Sequence, residues 1–229
     1  MRVDAILFDK DGTLFDFGAT WEGWAESFLL RATGGDRPRA ARIGQHIGFD
    51  LQARRFEPGS IVIAGTPDEV TERLLPHFPD RGFDDILRML NEEAENAPQA
   101  EAVPLLPLLG RLRDLGLRLG VATNDAEAPA LVHLEAAGVR GYFDFIAGCD
   151  SGHGAKPQPG QLLAFAERIG LAPDRIVMVG DSTHDLIAGR SAGMQTVAVL
   201  TGLAEAAVLA PYADAVLPDI GHLPAWLAG

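Results

Sequence analysis

The feature that most constrains the fold is a regular alternation of apolar runs and helical segments from about residue 105 onward. The apolar runs are short and end at polar or glycine residues, whereas the segments between them carry apolar residues at helical spacing. Glycines follow several of these segments, as is common where a helix ends. Short connections between alternating strands and helices predict a parallel sheet covered on both faces. The predicted strands are residues 117–122, 143–147, 175–179, 196–200 and 213–217.

A further strand is predicted at residues 2–9, where an apolar run opens the chain. The segment that follows it, residues 16–97, has a different character. Trp21, Trp24 and Phe28 recur there at helical spacing. This segment is therefore expected to be a mostly helical insert that interrupts the alternating pattern.

Local signals support helices within the insert. Thr66 and Glu69 have the spacing of a capping box, in which each side chain accepts a hydrogen bond from the other residue's backbone. Residues 83–96 carry one apolar stripe, whereas residues 60–63 are expected to be extended. The predicted fold class is therefore α/β, a doubly wound parallel sheet with an inserted helical domain. The sheet domain comprises residues 1–15 and 98–229, and the insert comprises residues 16–97.

Composition excludes several classes of function. The 229 residues carry a net charge of −13, which argues against a nucleic-acid-binding surface. The single cysteine excludes an intrachain disulfide and a cysteine-rich zinc site. Asp4 and Asp9 interrupt the N-terminal apolar run, so no secretory signal is expected, and no run is long enough to cross a membrane. The expectation is a soluble cytoplasmic protein with neither a nucleic-acid nor a membrane partner.

Two carboxylates stand where the first strand ends. Asp9 and Asp11 follow the apolar run, and Gly12 and Thr13 come next. Ligands of open α/β sheets bind outside the carboxyl ends of the strands. At such a place, one carboxylate can attack phosphorus as a nucleophile, and the second can serve as general acid and then general base. The alternative at this point is an Asp-Gly surface turn.

Three more strand ends or adjacent loops carry polar side chains. Thr123 and Asn124 could bind phosphate oxygens or cap a helix. Lys156 could offset phosphate charge or be a solvated lysine before a proline. Asp181 and Asp185 are spaced to share one side of a helix, and they could bind Mg²⁺ or cap that helix. Taken together, the set supplies each part that phosphoryl transfer requires.

Over essentially its whole length the chain resembles the haloacid dehalogenase superfamily. The resemblance rests on four motifs in the expected order and strand-end context. They are Asp9-Lys10-Asp11-Gly12-Thr13, Thr123-Asn124, Lys156-Pro157 and Gly180-Asp181-Ser182-Thr183-His184-Asp185.

The resemblance implies a role for each motif. Asp9 is expected to be the nucleophile and Asp11 the acid and base. The phosphoryl group is expected to be bound by Thr123, Asn124 and Lys156. Lys10 departs from the apolar residue most common at its position and is expected at the rim of the site.

The resemblance also implies a Mg²⁺ cofactor and a cap. The ion is expected to be bound by Asp9, by the main-chain carbonyl of Asp11 and by Asp181, with Asp185 acting through water. Residues 16–97 resemble the helical cap of the subfamily that includes phosphoglycolate phosphatase, β-phosphoglucomutase and the dehalogenases. Such a cap closes over the site and reads the leaving group.

Several branches of the superfamily are separated by single residues. The dehalogenases lack an acid/base carboxylate two residues after the nucleophile and need no metal, so Asp11 and Asp181 favour phosphate chemistry. A phosphonatase is expected to carry a cap lysine, and no lysine lies between Asp16 and Glu101. The leading hypothesis is a Mg²⁺-dependent phosphatase of a small phosphomonoester such as phosphoglycolate or a sugar phosphate. A phosphomutase and a non-catalytic binding protein on the same fold are the alternatives.

Overall fold

The computed structural model describes residues 3–229, so the predicted start of the first strand at Arg2 lies outside the described residues. The chain divides into two compact units. One joins the N-terminal segment through Phe17 to Ala100–Gly229, and the other is Gly18–Gln99. Among the described residues, every helix is too short or too polar to cross a membrane.

Six strands of the first unit form one sheet. Every neighbouring pair in it is parallel, and the order across the sheet is β5-β4-β1-β6-β7-β8. This confirms the predicted doubly wound α/β architecture. In the second unit, β2 and β3 form a short antiparallel pair that was not predicted. In chain order the strands are β1 (Ala5–Phe8), β2 (Phe49–Asp50), β3 (Arg55–Phe56), β4 (Arg118–Ala122), β5 (Phe145–Ala147), β6 (Ile176–Gly180), β7 (Gln195–Val199) and β8 (Ala215–Leu217).

The α-helices connect and cover these strands, and most of them lie where helical periodicity predicted. The helix at residues 37–44 was not predicted; the side chain of Asp36 caps it by accepting a hydrogen bond from Arg39 N at 3.0 Å. In chain order the helices are α1 (Phe17–Ala32), α2 (Arg37–Gly44), α3 (Pro67–Leu74), α4 (Phe83–Glu95), α5 (Leu105–Asp114), α6 (Glu127–Ala136), α7 (Gly160–Ile169), α8 (Thr183–Ala192), α9 (Ala206–Leu209) and α10 (Leu223–Ala228).

The core lies on both faces of the sheet because successive side chains of a strand point to opposite faces. Ile6 and Phe8 belong to one buried cluster together with Leu109 of α5. Leu7 belongs to the cluster on the other face together with Phe165 of α7. A strand buried in this way has no polar face, which explains why β1 is a continuous apolar run. The first polar position after it, Asp9, therefore lies at the carboxyl end of this central strand.

The second unit is built on its own aromatic core. The indole N–H of Trp24 donates to the carbonyl oxygen of Leu90 at 3.0 Å, which joins α1 to α4. The rings of Trp21 and Trp24 meet edge to face with centroids 5.1 Å apart. The capping box of Thr66 and Glu69 begins α3, as predicted.

The expectation of extended structure at residues 60–63 is wrong. Residues Ile61–Ile63 form a single 3₁₀ turn instead. Ser60 caps this turn because its hydroxyl accepts from Val62 N at 3.2 Å and donates to the carbonyl oxygen of Ile47. Three consecutive β-branched residues favour a strand, but here the local cap on the preceding serine outweighs that preference.

Candidate active site

Asp9 continues the central strand by one residue. Its amide donates to the carbonyl oxygen of Val179 at 2.8 Å, so the adjacent strand β6 holds its backbone in place. The side chain is buried, and Oδ1 accepts a hydrogen bond from Lys156 Nζ at 2.6 Å. Burial raises the pKa of Asp9 to about 7, opposed by Lys156 and assisted by the charges of Asp185 and Asp11.

A tight turn carries the chain away from the sheet immediately after Asp9. Gly12 has a φ of +80°, its amide donates to Phe15 O at 2.7 Å, and Phe15 N donates back to Lys10 O at 3.0 Å. A Cβ atom at Gly12 would lie 2.5 Å from Asp181 Oδ2. The turn therefore needs glycine both for its left-handed backbone and for the close approach of a carboxylate.

Lys156 is the buried cation of the site. Its ammonium donates to Asp9 Oδ1 at 2.6 Å, to Asp185 Oδ1 at 2.6 Å and to the carbonyl oxygen of Ala122 at 2.7 Å. Burial lowers the pKa of Lys156, but the two carboxylates outweigh it and the net direction is upward. All three ammonium protons have an oxygen acceptor, so the alternative of a solvated lysine is wrong.

Asp181 and Asp185 lie at the junction of β6 and α8. Ser182 is the N-cap of α8, and Asp185 Oδ2 accepts from Ser182 N at 3.0 Å and from Ser182 Oγ at 2.6 Å. One carboxylate oxygen from each of Asp9, Asp181 and Asp185 lies within 4.8 Å of the others. Burial raises the pKa of Asp181 well above its usual value, and the charges of Asp9 and Asp185 add to this effect.

This carboxylate cluster fits a divalent cation. With all three carboxylates ionised, the cluster and the single charge of Lys156 would have a local charge of −2, and hard oxygen ligands suit Mg²⁺. Burial raises the pKa of Asp9 and of Asp181, and a bound cation would favour the ionised form of both carboxyl groups. The carboxylate of Asp11 is not part of the cluster, because it turns toward Lys10.

Thr123 and Asn124 follow β4, next to the backbone of Lys156. The side-chain amide of Asn124 donates from Nδ2 to Lys156 O at 2.8 Å, and its Oδ1 accepts from Lys156 N at 2.8 Å. This side chain therefore fixes the backbone of Lys156. The hydroxyl of Thr123 accepts a hydrogen bond from Asp125 N at 3.1 Å. Its own proton can therefore be donated to another acceptor. Gln161, which sequence reasoning missed, donates to Thr123 O at 2.9 Å.

Two further residues that sequence reasoning missed follow β7. The hydroxyl of Thr201 donates to the carbonyl oxygen of Gly12 at 2.6 Å. A Cβ atom at Gly202 would lie 1.7 Å from Asp181 Oδ2, so only glycine leaves room for that carboxylate. The sequence did contain a signal for them, because a hydroxyl residue and a glycine follow the carboxyl end of another predicted parallel strand.

The expectation that Lys10 lies at the rim is wrong, because its side chain is fully buried. Its ammonium lies 2.7 and 2.9 Å from the two carboxylate oxygens of Asp11, 3.2 Å from Asp125 Oδ2 and 3.0 Å from His133 Nδ1. Burial raises the pKa of Asp125 to about 6, opposed by Lys10 and assisted by Asp11. A second buried lysine therefore stands beside the site, with its own carboxylates.

Comparison with known proteins gives consistent similarities. A family model of haloacid dehalogenase-like hydrolases matches residues 3–193. A phosphoglycolate phosphatase of Rhodospirillum rubrum is 37% identical over 231 residues, which is 97% of this chain and 90% of that protein. A pyrophosphatase, PpaX of Bacillus velezensis, is 29% identical over 92% of this chain and 89% of its own length. The solved structure of a HAD phosphatase from Thermococcus onnurineus is 25% identical, with a TM-score of 0.68 over 100% of this chain and 99% of that one.

Proposed function

We propose that this chain, which belongs to the haloacid dehalogenase-like hydrolase family, hydrolyses small phosphomonoesters with Mg²⁺. The relatives named phosphoglycolate phosphatase indicate an enzyme of phosphatase type. The observation that best supports this is the meeting of Asp9, Lys156 and Asp181 in one buried cluster after β1 and β6. A carboxylate nucleophile, a fixed cation and further carboxylates for a metal are what phosphoryl transfer requires.

In the proposed reaction Asp9 attacks phosphorus in line with the leaving group. A bond forms between a carboxylate oxygen of Asp9 and phosphorus, and the bond from phosphorus to the ester oxygen breaks. Asp11 gives a proton to that oxygen and later takes one from the water that attacks the aspartyl-phosphate, so Asp9 is regenerated and phosphate is released.

Charge on the transferring group is offset by residues fixed before the substrate arrives. Lys156 is held by Asp9, Asp185 and the backbone of Ala122, so its positive charge is fixed where it can offset charge on the transferring phosphoryl group. The Thr123 hydroxyl can donate its proton to a phosphoryl oxygen while it accepts from Asp125. Asn124 contributes by fixing the backbone on which Lys156 stands.

Mg²⁺ would be held by Asp9 and Asp181 and by the main-chain carbonyl of Asp11. Asp185 would act through water, because its oxygens already accept from Lys156 and Ser182. When bound, the cation supplies positive charge to the phosphoryl oxygens and to the carboxylates around it.

We assign Gly18–Gln99 as the cap domain that selects the leaving group, and Met1–Phe17 with Ala100–Gly229 as the catalytic core. The phosphoglycolate phosphatase relatives make a short carboxylated ester the first candidate substrate. Most arginines of this unit are engaged by acidic side chains or carbonyl oxygens, for example Arg31 by Glu92 and Glu93. Three exposed ones are free to bind a carboxylate, and they are Arg42, Arg55 and Arg73.

Asp9→Asn tests the proposed nucleophile. With p-nitrophenyl phosphate and Mg²⁺ we expect kcat to fall by about 10³-fold or more, since a neutral amide cannot attack phosphorus. Asp114→Asn is the matched control, because Asp114 is exposed at the end of α5 and should retain wild-type turnover. Chelation of the metal should also abolish wild-type activity. Retained turnover by Asp9→Asn would remove Asp9 from this role.

A substrate panel extends the same assay to the leaving group. Phosphoglycolate, inorganic pyrophosphate and glucose 1-phosphate should be compared by kcat/KM for phosphate release, with isomer formation measured in parallel. We expect phosphoglycolate to give the highest value. A preference for pyrophosphate would indicate the activity named for the PpaX relatives, and formation of an isomer without free phosphate would indicate a mutase.

A further inference from the structure

The chain has only two lysines, and both are buried beside the two aspartates of the first motif. Lys156 has a role in the proposed reaction. Lys10 lies between Asp9 and Asp11 in sequence, yet the reaction described above makes no use of it. Burial of a lysine is costly unless its charge is paired and its protons have acceptors, so the partners of Lys10 indicate why it is there.

The Lys10 ammonium has three protons to donate, and oxygen and nitrogen acceptors lie close to it. The carboxylate of Asp11 lies on one side with both oxygens within 2.9 Å. Asp125 Oδ2 lies 3.2 Å from the ammonium nitrogen, and His133 Nδ1 lies 3.0 Å from it. An ammonium cannot accept a hydrogen bond, so His133 Nδ1 is the acceptor and its ring proton is on Nε2. The cluster therefore depends on a neutral histidine in one tautomer.

The two anchors of Lys10 are themselves fixed by separate parts of the core unit. Asp125 is in the loop after β4, where its Oδ1 accepts from Ala126 N at 2.8 Å and its amide donates to Thr123 Oγ1. His133 is in α6 and is almost completely buried. Lys10 thus connects the carboxylate of Asp11 to a loop and a helix that are more than one hundred residues away in sequence.

Asp11 needs such support because it stands on a turn rather than in the sheet. The turn is closed by backbone bonds of Gly12 and Phe15 and leaves the short side chain of Asp11 partly exposed. A catalytic group that is misplaced by about 1 Å can lose about 10²-fold in rate. The ion pair with Lys10 restricts this carboxylate to one orientation.

We propose that Lys10 is a positioning residue that holds the Asp11 carboxylate in place for proton transfer, with Asp125 and His133 as its anchors. This role rests on the proposed function, since it assumes that Asp11 protonates the leaving group. It also accounts for a lysine that is fully buried next to the proposed nucleophile.

The test compares two aryl esters that differ in their need for an acid. p-Nitrophenolate leaves readily without a proton, whereas the more basic phenolate of phenyl phosphate requires one. The measured quantity is the ratio of kcat/KM for p-nitrophenyl phosphate to kcat/KM for phenyl phosphate. Because kcat/KM covers only the steps up to the aspartyl-phosphate, the ratio isolates protonation of the leaving group.

Lys10→Met should raise this ratio by about 10-fold or more, because general acid catalysis is typically worth at least 10²-fold. Asp11→Asn should raise it at least as much, and the double variant should raise it no further than Asp11→Asn alone. A change that merely loosened the fold would lower both kcat/KM values together. Melting temperature and circular dichroism establish that each variant is folded.

Asp125→Asn provides a second variant in case Lys10→Met does not fold. It keeps the shape of the anchor and the Lys10–Asp11 pair, and it should raise the ratio in the same direction by a smaller factor. An unchanged ratio in an active, folded variant overturns the role of Lys10, as does a full additional effect in the Asp11→Asn background. Absence of Mg²⁺-dependent turnover by the wild type with both esters would instead overturn the proposed function, and this role with it.

Discussion

The two lysines of this chain occupy two buried clusters with similar parts and different surroundings. Each ammonium faces two aspartates and one further acceptor, which is a backbone carbonyl for Lys156 and an imidazole for Lys10. The aspartates around Lys156 belong to a larger cluster with Asp181, so that region has a surplus of negative charge. Around Lys10, the structure places the carboxylates of Asp11 and Asp125.

The comparison indicates that similar lysine–aspartate contacts can support ligand binding in one cluster and positioning of a side chain in the other. A lysine among surplus carboxylates leaves room for a divalent cation and a phosphoryl group, and the cluster around Lys156 therefore suits ligand binding. Lys10 instead pairs with Asp11, whose carboxylate stands on a turn, and the proposed effect of this pair is to hold that carboxylate in place. Variants at the two lysines should consequently fail in different ways.

Lys156→Met is expected to have the largest effect in this comparison. Removing a preorganised positive charge should lower kcat by about 10²- to 10³-fold, as loss of a single stabilising donor does in other enzymes. The fall should be similar for p-nitrophenyl phosphate and phenyl phosphate, because the role proposed for Lys156 concerns the phosphoryl group and not the leaving group. Steady-state kinetics with the two esters gives the comparison directly.

Stability must be measured beside this activity. Loss of Lys156 leaves Asp9 and Asp185 buried without their counter-charge, which in comparable sites costs about 3–5 kcal/mol. Lys156→Gln keeps a donor and should fold in case the methionine variant does not, with the same equal loss for both esters. If Lys156→Gln instead affected phenyl phosphate selectively, the distinction between the two lysines would fail.

Sequence reasoning located the residues around Lys156 but not the arrangement around Lys10, and the reason is physical. Asp9, Lys156 and Asp181 each follow a predicted parallel strand or precede a helix, so the topology alone predicts that they meet. Lys10 is adjacent to Asp9, and no local pattern specifies which way its side chain points. Its partner His133 is 123 residues away on an apolar helix, where a histidine has no distinctive signal.

The carboxyl end of β7 gives a second example of the same limit. The strand was predicted within one residue of its observed bounds, Gln195–Val199. The contact of Gly202 with Asp181 depends on how the following loop folds back, which strand prediction does not address. Secondary structure and topology follow from periodicity, whereas contacts between loops require the three-dimensional structure.

Gly202→Ala should affect the Lys156 region alone. A Cβ atom there would overlap Asp181 Oδ2 at 1.7 Å, so the carboxylate or the loop must shift. We expect the apparent affinity for Mg²⁺ to fall by about 10- to 100-fold, the range seen when residues supporting a metal site are changed. The ester ratio that reports on Lys10 and Asp11 should stay at its wild-type value.

Gly141→Ala is the matched control for this substitution. No atom lies within 4 Å of a Cβ built at Gly141, and its backbone is not left-handed. Activity should be titrated with Mg²⁺ for the wild type and both variants. Equal Mg²⁺ dependence in all three would show that the close approach of Gly202 does not matter for metal binding.

The smallest expected effect concerns stability as a function of pH. Burial raises the pKa of Asp9 to about 7 and that of Asp125 to about 6, so both groups bind protons more tightly when folded than when unfolded. Stability from such groups is greatest at low pH and is lost as pH rises from the unfolded value toward the folded one. The metal-free protein should therefore lose melting temperature between about pH 4 and pH 7, according to these pKa values.

Mg²⁺ should reverse this loss at one cluster and not at the other. At a concentration one hundred times its dissociation constant, an ion that binds only the folded state adds about 2.7 kcal/mol. For a chain of this size that corresponds to a rise of about 5–10 °C in melting temperature. The rise should be larger at pH 8 than at pH 5, because the carboxylates that bind the ion must be ionised.

Asp125→Asn and Asp181→Asn separate the two contributions. Asp125→Asn should reduce the loss of melting temperature with pH in the metal-free protein and keep the full response to Mg²⁺. Asp181→Asn should reduce both, since it removes a carboxylate from the cluster proposed to bind the ion. Differential scanning fluorimetry at pH 5 and pH 8, with and without Mg²⁺, measures all four quantities. The same reduction of the Mg²⁺ response in both variants would mean that the metal acts on both clusters together.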